Sequence, residues 1–218
     1  MDDETTLACG RLLDELRLSI DDLDRHGAVD SALRAVESGE IPVPELYTQV
    51  LGPLLSRIGS AWQHGRERVW QEHFASHVVR TIVEALYPRV IAEAAAVPAL
   101  GTTALLVCPP REEHELGLRM LSDRFELAGW RTVFLGANTP VAEIVAAAGD
   151  VHADLVALSV STTYERVEMR AFVDALHAGL PGVRIALGGP AFAHGDAWPA
   201  DELLDPVDLG LPGSERGR

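Results

Sequence analysis

Apolar residues recur every three or four positions through residues 5–97, which is the period of amphipathic helices that pack on one face. The first stripe is interrupted at Gly27, and Asp30 is expected to cap a second helix that runs through Glu37 and ends near Gly39. Short connections between such helices predict a small helical bundle over this part of the chain. The first stripe consists of Leu12, Leu13, Leu16, Ile20 and Leu23.

Two further helices are predicted in the same region. One begins at Pro44, since proline suits the first helical turn, and ends at Gly65. The other covers residues 68–96, and Pro88 would kink or divide it. The apolar stripe of the third helix is Leu46, Val50, Leu54, Leu55, Ile58 and Trp62. The inward residues of the fourth are Val69, Phe74, Val78, Ile82 and Leu86.

The pattern changes after a linker at residues 94–101, where short apolar runs begin to alternate with helical segments. Such alternation predicts a doubly wound parallel α/β sheet over residues 101–210, which binds ligands at the carboxyl ends of its strands. The tail from about Trp198 shows little pattern and is expected to fray. Strands are predicted at 104–107, 132–135, 155–159 and 184–187, and helices at 115–128, 141–149 and 165–176.

Composition narrows the function classes. The net charge is -15, from 18 Lys+Arg against 33 Asp+Glu, and no dense basic cluster is present, which argues against direct binding to nucleic acid or to an anionic membrane. The start at Met1 lacks the features of a signal peptide, and no apolar run is long enough for a membrane span, so a cytoplasmic protein is expected. Cys9 and Cys108 form neither a zinc-site pattern nor a disulfide framework.

Candidate chemistry follows the first predicted strand. His114 offers an imidazole, a good ligand for a transition metal, and Glu112 stands two residues earlier, where its carboxylate can accept the other ring N–H. Gly117 removes a side chain where a bulky group would need to approach. Taken without context, a single histidine in such a loop is more often an ordinary surface residue.

The pattern ExHxxG at residues 112–117 resembles the cobalamin-binding motif of B12-binding domains. The resemblance implies that His114 replaces the nucleotide base as the lower cobalt ligand. It also implies that the displaced base tail enters a slot lined by a Ser/Thr-rich turn and a glycine pair. Candidates for the slot follow the third and fourth strands: Ser159, Ser161, Thr162, Thr163, Gly188 and Gly189. By themselves, these residues could equally cap a helix and form a turn.

Two departures from that pattern stand out. Glu112 occupies a position where many similar domains carry Asp, and its longer side chain is expected to be able to reach the imidazole. The chain after Gly189 leads quickly to Trp198, where similar domains usually carry another helix. One edge of the sheet is therefore expected to be reduced or irregular.

Trp62 is followed, after nine residues, by Glu72 and His73. This W-x9-EH pattern resembles the light-sensing B12 photoreceptors of the CarH type. The resemblance implies a helical bundle over the upper face of adenosylcobalamin, with Trp62 packed over the adenosyl group and Glu72 contacting it. It implies that His73 takes the upper position on cobalt after light breaks the cobalt–carbon bond. Without that context, Trp62 would be a core residue and the Glu-His pair would be solvated.

The fold expected from the sequence is thus a helical bundle followed by a flavodoxin-like B12-binding domain. Photoreceptors of that type begin with a winged-helix DNA-binding domain, for which there is no room before Leu7. A sensory, non-enzymatic module that signals through a protein partner or through homo-oligomers is therefore expected. The main alternative is a corrinoid methyl carrier for a methyltransferase. A small mutase subunit, a cobalamin store and a redox-linked antirepressor that binds hydroxocobalamin also stay open.

Overall fold

The computed structural model describes residues 2–63, 68–161, 163–192, 203–204 and 209–212. The chain divides into two compact units, and the boundary falls between Ala92 and Glu93, close to the predicted linker. The helices of the first unit are α1 (Asp3–Asp21), α2 (Arg25–Glu37), α3 (Val43–Glu45), α4 (Gly52–Gln63) and α5 (Val69–Ala94), with a π-helical stretch (Leu46–Leu51) joining α3 to α4.

The start of α2 differs from its prediction. The cap is Asp24, whose side chain accepts a hydrogen bond from the backbone N–H of Gly27 at 2.9 Å, and Asp30 lies inside the helix. Gly27 therefore belongs to the first turn of α2. A Cβ at Gly27 would lie 2.2 Å from Oδ2 of Asp24, so glycine leaves room for the capping carboxylate.

The third predicted helix is continuous from Val43 to Gln63 but widens in its middle. The backbone N–H of Gly52 bonds to the carbonyl of Tyr47, five residues earlier, just ahead of Pro53. Because proline offers no N–H and its ring clashes with the preceding turn, the wider turn accommodates it. Gly65, where the helix was predicted to end, lies outside the described residues.

Two residues predicted to face inward are exposed. Leu23 lies in the connection after α1 with a φ of 58°, and Val69 begins α5. Their exposed fractions are 52% and 50%. Pro88 lies inside α5, which continues through it to Ala94, so it does not divide that helix. The helical pattern otherwise predicts the buried face of α5, where Val78, Ile82 and Leu86 are buried.

The second unit contains β1 (Thr103–Val107), α6 (Leu116–Leu127), β2 (Arg131–Gly136), α7 (Val141–Val151), β3 (Leu155–Ser159), α8 (Thr163–Gly179) and β4 (Arg184–Gly188), followed by a 3-10 turn (Pro190–Phe192). All paired strands are parallel, in the order β2-β1-β3-β4. This element sequence and strand order confirm the predicted helical region followed by a doubly wound α/β sheet.

Buried side chains alternate between the two faces of the sheet along β1, β3 and β4. On one face, Leu105, Val156 and Ile185 pack with residues of α7 and α8. On the other face, Leu106 and Ala157 pack with residues of α6. This alternation explains why the central strands β1 and β3 are almost entirely apolar, since both faces of a parallel sheet are covered by helices. The edge strand β2 is half-buried or exposed along most of its length.

Beyond β4, the described residues contain one isolated parallel bridge, between Leu187 and Leu203. The backbone N–H of Leu204 bonds to the carbonyl of Leu187 at 2.8 Å. Residues 193–202 lie outside the description, as does most of the tail predicted to fray. None of the helices in the described ranges combines the length and apolar character that a membrane crossing requires.

The glycine pair at the end of β4 differs in whether each position has room for a side chain. Gly189 has a φ of +96°, and a Cβ there would lie 2.5 Å from the carbonyl oxygen of Val160. Gly188 has ordinary φ, and the nearest atoms to its Cβ would be 3.8 Å away.

We expect Gly189→Ala to lower the free energy of unfolding by about 2 kcal/mol or more, because a left-handed alanine and a backbone collision both cost energy.

Gly188→Ala is the matched control, expected to change the free energy of unfolding by less than about 1 kcal/mol. Thermal and denaturant unfolding of the cofactor-free protein measures both variants. Equal midpoints for the two would contradict this account of the glycine pair.

Candidate functional site

The carboxyl ends of β1, β3 and β4 bring separated residues to one edge of the sheet. The loop after β1 carries residues 108–115, the segment after β3 carries Val160 and Ser161, and Gly189 follows β4. Backbone hydrogen bonds join the last two segments, from Val160 to the carbonyl of Gly188 and from Ala191 to the carbonyl of Val160. This edge is where parallel α/β sheets bind their ligands.

At the centre of this edge lies the carboxylate of Glu112, which is fully buried. Its Oε1 accepts the backbone N–H of His114 at 2.8 Å and faces Nδ1 of the same residue at 2.7 Å. Its Oε2 accepts the backbone N–H of Ser161 at 2.6 Å and the Ser161 hydroxyl at 2.8 Å. These donors compensate the loss of hydration that a buried carboxylate suffers.

The contact with Glu112 sets the proton position on His114. A carboxylate only accepts hydrogen bonds, so Nδ1 of the imidazole carries the proton in this pair. In the neutral ring, the lone pair then stands on Nε2, as a metal-ligating imidazole requires. The His114 side chain is 68% exposed, although Glu112 beneath it is buried. The carboxylate is thus placed where it can orient the ring.

Ser161 completes this arrangement in a way that the spacing of the motif does not predict. Its hydroxyl lies 3.0 Å from Nδ1 of His114 in addition to its bond to Glu112. The serine lies 49 residues from Glu112 in sequence, and the contact arises because β1 and β3 are neighbours in the sheet.

The surroundings of Gly117 provide a test of whether a large cofactor fits above His114. Gly117 lies in the first turn of α6, where glycine forms helix less readily than alanine. A Cβ there would meet no atom within 4 Å, so the packing of this chain does not require glycine. An open glycine beside an exposed imidazole fits the close approach of a flat macrocycle.

The other predicted slot residues lie around the same strand ends. Ser159 ends β3 and pairs in register with Gly188, the last residue of β4. The Ser159 hydroxyl would be 3.0 Å from a Cβ at Gly189. Thr163 begins α8, but its side chain is outside the description, as is the whole of Thr162. Their part in holding a base tail stays a prediction.

The residues predicted for the upper face belong to the first unit. Trp62 lies in α4, and its side chain is outside the description. Glu72 is in the first turn of α5 and accepts a hydrogen bond from the Ser76 hydroxyl at 2.8 Å. His73 is largely exposed, and its Nε2 lies 3.6 Å from Oε2 of Glu72.

The loop after β2 was not predicted to take part, yet it is bonded to the loop that carries His114. The backbone N–H of Ala137 donates to Oε2 of Glu115 at 3.0 Å, and that of Asn138 donates to the carbonyl of Glu112 at 3.0 Å. The signal in the sequence is Gly136-Ala137-Asn138, a turn-forming run directly after a strand.

Two segments of the chain match B12 binding domain families. Residues 102–203 match one such family, and residues 12–87 match a second. The first segment contains Glu112, His114 and the glycine pair, and the second contains Trp62, Glu72 and His73.

Similar proteins include two from Myxococcus xanthus. The chain is 30% identical over 191 residues to the HTH-type transcriptional repressor CarH, covering 86% of this chain and 57% of the relative. It is 35% identical over 138 residues to the HTH-type transcriptional repressor CarA, covering 63% of this chain and 44% of that relative. The chain thus spans about half the length of these relatives. An uncharacterized 20.5 kDa protein of Rhodobacter capsulatus is 28% identical over 156 residues, covering 70% of this chain and 79% of that protein.

Among solved structures, the monomethylamine corrinoid protein of Methanosarcina barkeri has a similar fold. The TM-score is 0.70 at 18% identity, with 85% of this chain and 87% of that chain covered. At this identity the likeness concerns the fold alone, and it matches the predicted order of a helical region followed by a parallel sheet.

Replacing Glu112 by Gln tests the charged centre of this edge. Each carboxylate oxygen accepts two donors, so an amide would place its NH₂ group against donors whichever way it points. We expect Glu112→Gln to lower the free energy of unfolding of the cofactor-free protein by about 2 kcal/mol or more. Chemical denaturation measures the change.

The neighbouring Glu113 is exposed and provides the matched control. Glu113→Gln is expected to stay within about 0.5 kcal/mol of the parent. If Glu112→Gln were as stable as this control, the carboxylate would not organise the loop as described.

Proposed function

We propose that this chain, a cobalamin-binding-domain protein that resembles CarH-type photoreceptors, is a light sensor that uses adenosylcobalamin. His114 is its lower axial ligand, with the nucleotide base of the cofactor displaced, and His73 is the ligand that takes the upper position after illumination. The observation that carries the proposal is the buried Glu112 carboxylate holding the proton on Nδ1 of His114.

When bound, the cofactor supplies a cobalt–carbon bond that light can break. The chain supplies a lower ligand whose Nδ1 contacts both Glu112 and Ser161. Because the imidazole cannot turn without losing these bonds, His114 is suited to remain in place while the upper side changes. A ligand exchange on the upper side of cobalt requires a lower ligand that stays in place.

The helical segment supports the upper-face part of the proposal. Glu72 is held by Ser76 one turn ahead on α5, so its carboxylate is partly ordered and only 25% exposed. His73 next to it is 65% exposed, so its imidazole is accessible for ligation. Trp62 completes the pattern shared with CarH-type proteins and is assigned to the adenosyl group.

The output of the sensor is an altered assembly, either with a protein partner or with further copies of this chain. The -15 net charge and the lack of a dense basic cluster do not favour contact with nucleic acid through these residues. No reaction on a substrate is assigned to it. Ligand exchange at one metal is thereby converted into a change of partners.

A corrinoid methyl carrier is the second candidate, since the monomethylamine corrinoid protein shares this architecture. A carrier needs an upper face that opens to a methyltransferase, and the Trp62, Glu72 and His73 pattern is not required for that task. The two candidates differ in their preferred upper ligand and in their response to light.

The visible spectrum before and after green light tests the proposal directly. We expect the protein loaded with adenosylcobalamin in darkness and illuminated in air, where dioxygen oxidises the cobalt(II) left by homolysis, to change its spectrum to that of a cobalt(III) cobalamin with histidine on both sides. Size-exclusion chromatography of the same samples is expected to show different assemblies in darkness and light. Methylcobalamin and hydroxocobalamin, loaded in parallel, serve as comparisons.

A spectrum and elution volume that light leaves unchanged would eliminate the sensor. Preferential retention of methylcobalamin, together with methyl transfer to a thiol acceptor, would favour the carrier. Preferential retention of hydroxocobalamin in darkness would favour the store or antirepressor.

The role of His73 is tested against His77, which lies one turn further along α5 and is also exposed. We expect His73→Ala to bind adenosylcobalamin within about twofold of the parent affinity but to end illumination with water, not imidazole, above cobalt. His77→Ala is expected to give the parent's final spectrum. Nitrogen ligation is read from the absorption bands after illumination. If only His77→Ala lost the imidazole spectrum, His77 and not His73 would be the upper ligand.

A further inference from the structure

The loop that carries Glu112 contains an unfavourable backbone conformation. Arg111 has a φ of 71°, in the left-handed region that non-glycine residues rarely adopt. The following residue is Glu112, whose side chain turns inward to meet His114 and Ser161. The direction of the carboxylate therefore depends on a turn that Arg111 does not favour by itself.

Asn138, from the loop after β2, binds this turn on both sides. Its side-chain Oδ1 accepts the backbone N–H of Arg111 at 2.8 Å. Its own backbone N–H donates to the carbonyl of Glu112 at 3.0 Å. Asn138 thus holds the outer hydrogen-bonding groups of the Arg111–Glu112 dipeptide, which keeps the strained turn closed.

Asn138 is suited to this position by its own conformation. Its φ is 55°, and asparagine tolerates the left-handed region better than other non-glycine residues. Neighbouring bonds fix the loop in place, from Cys108 to the carbonyl of Gly136 and from Thr139 to the carbonyl of Cys108. The residue is exposed to solvent, so the packing of a core does not explain it.

We propose that Asn138 is a positioning residue for the lower ligand, acting through Arg111 and Glu112 on His114. By closing the turn at Arg111, it keeps the Glu112 carboxylate against Nδ1 and so keeps the lone pair of the neutral ring on Nε2. The inference rests on the proposed ligation of cobalt by His114. Its effect on the imidazole tautomer exists in the cofactor-free protein as well.

Two substitutions separate the side-chain contact from the backbone contact. Asn138→Gly keeps the left-handed backbone and its N–H but removes the Oδ1 acceptor. Asn138→Asp keeps an acceptor oxygen at the same place, and the exposed position solvates the added charge. Loss of one such hydrogen bond is expected to weaken the ordered state of the turn by about three- to tenfold.

In the cofactor-free protein, the ¹⁵N shifts of the His114 ring report its tautomer. We expect the parent and Asn138→Asp to show one predominant Nδ1–H form and Asn138→Gly to show averaging between tautomers. In the cobalamin-loaded protein, the ratio of molecules with histidine below cobalt to molecules without it is expected to fall about three- to tenfold in Asn138→Gly. The ratio is expected to return to the parent value in Asn138→Asp. Circular dichroism checks that each variant is folded at the temperature used.

Parent-like ring shifts and parent-like ligation in folded Asn138→Gly would overturn the positioning role. A loss in Asn138→Gly that Asn138→Asp does not recover would also overturn it, since the acceptor oxygen would not be the cause. If the loaded parent itself lacks histidine below cobalt, the proposed function fails, and the ring shifts of the cofactor-free variants still decide the role of Asn138 in the turn.

Discussion

A buried carboxylate that must be hydrogen-bonded organises the candidate site. Glu112 has no exposed surface, and it is stabilised by donors from His114 and Ser161. Leaving such a charge without these donors would be expensive, so the loop after β1 and the segment after β3 are held together. The exposed imidazole is a consequence of this buried centre: its ring is oriented from below, and its surface is left for a ligand.

The parallel sheet makes that centre possible. β1 lies between β2 and β3, so the loops that follow these strands emerge side by side at one edge. Ser161 reaches Glu112 from one side, and Asn138 reaches the same loop from the other. Gly189, which cannot carry a side chain beside Val160, allows the chain after β4 to approach the same edge. A ligand-binding edge is thus assembled from residues distant in sequence.

The strands were predictable because both faces of a parallel sheet demand apolar residues, and β3 occupies the residues predicted for it. The pairing of Glu112 with His114 was predicted from the resemblance of ExHxxG to a known motif, and the structure places the two side chains in contact. Without that resemblance, the residues alone favoured an ordinary surface histidine. Helix starts were less predictable: Asp30 was predicted to cap α2, but the same side chain at Asp24 does so by accepting the backbone N–H of Gly27. The contacts of Ser161 and Asn138 depend on strand order, which local pattern does not encode.

His114, and not the nucleotide base of the cofactor, is proposed to lie below cobalt. Electron paramagnetic resonance of the cobalt(II) form tests it when the protein is labelled with ¹⁵N-histidine and loaded with unlabelled cobalamin. The nitrogen splitting is expected to change from a triplet to a doublet, and the doublet is expected to be absent from His114→Ala. A triplet that persists in the labelled protein would place the cofactor's own base on cobalt and rule out ligation by His114.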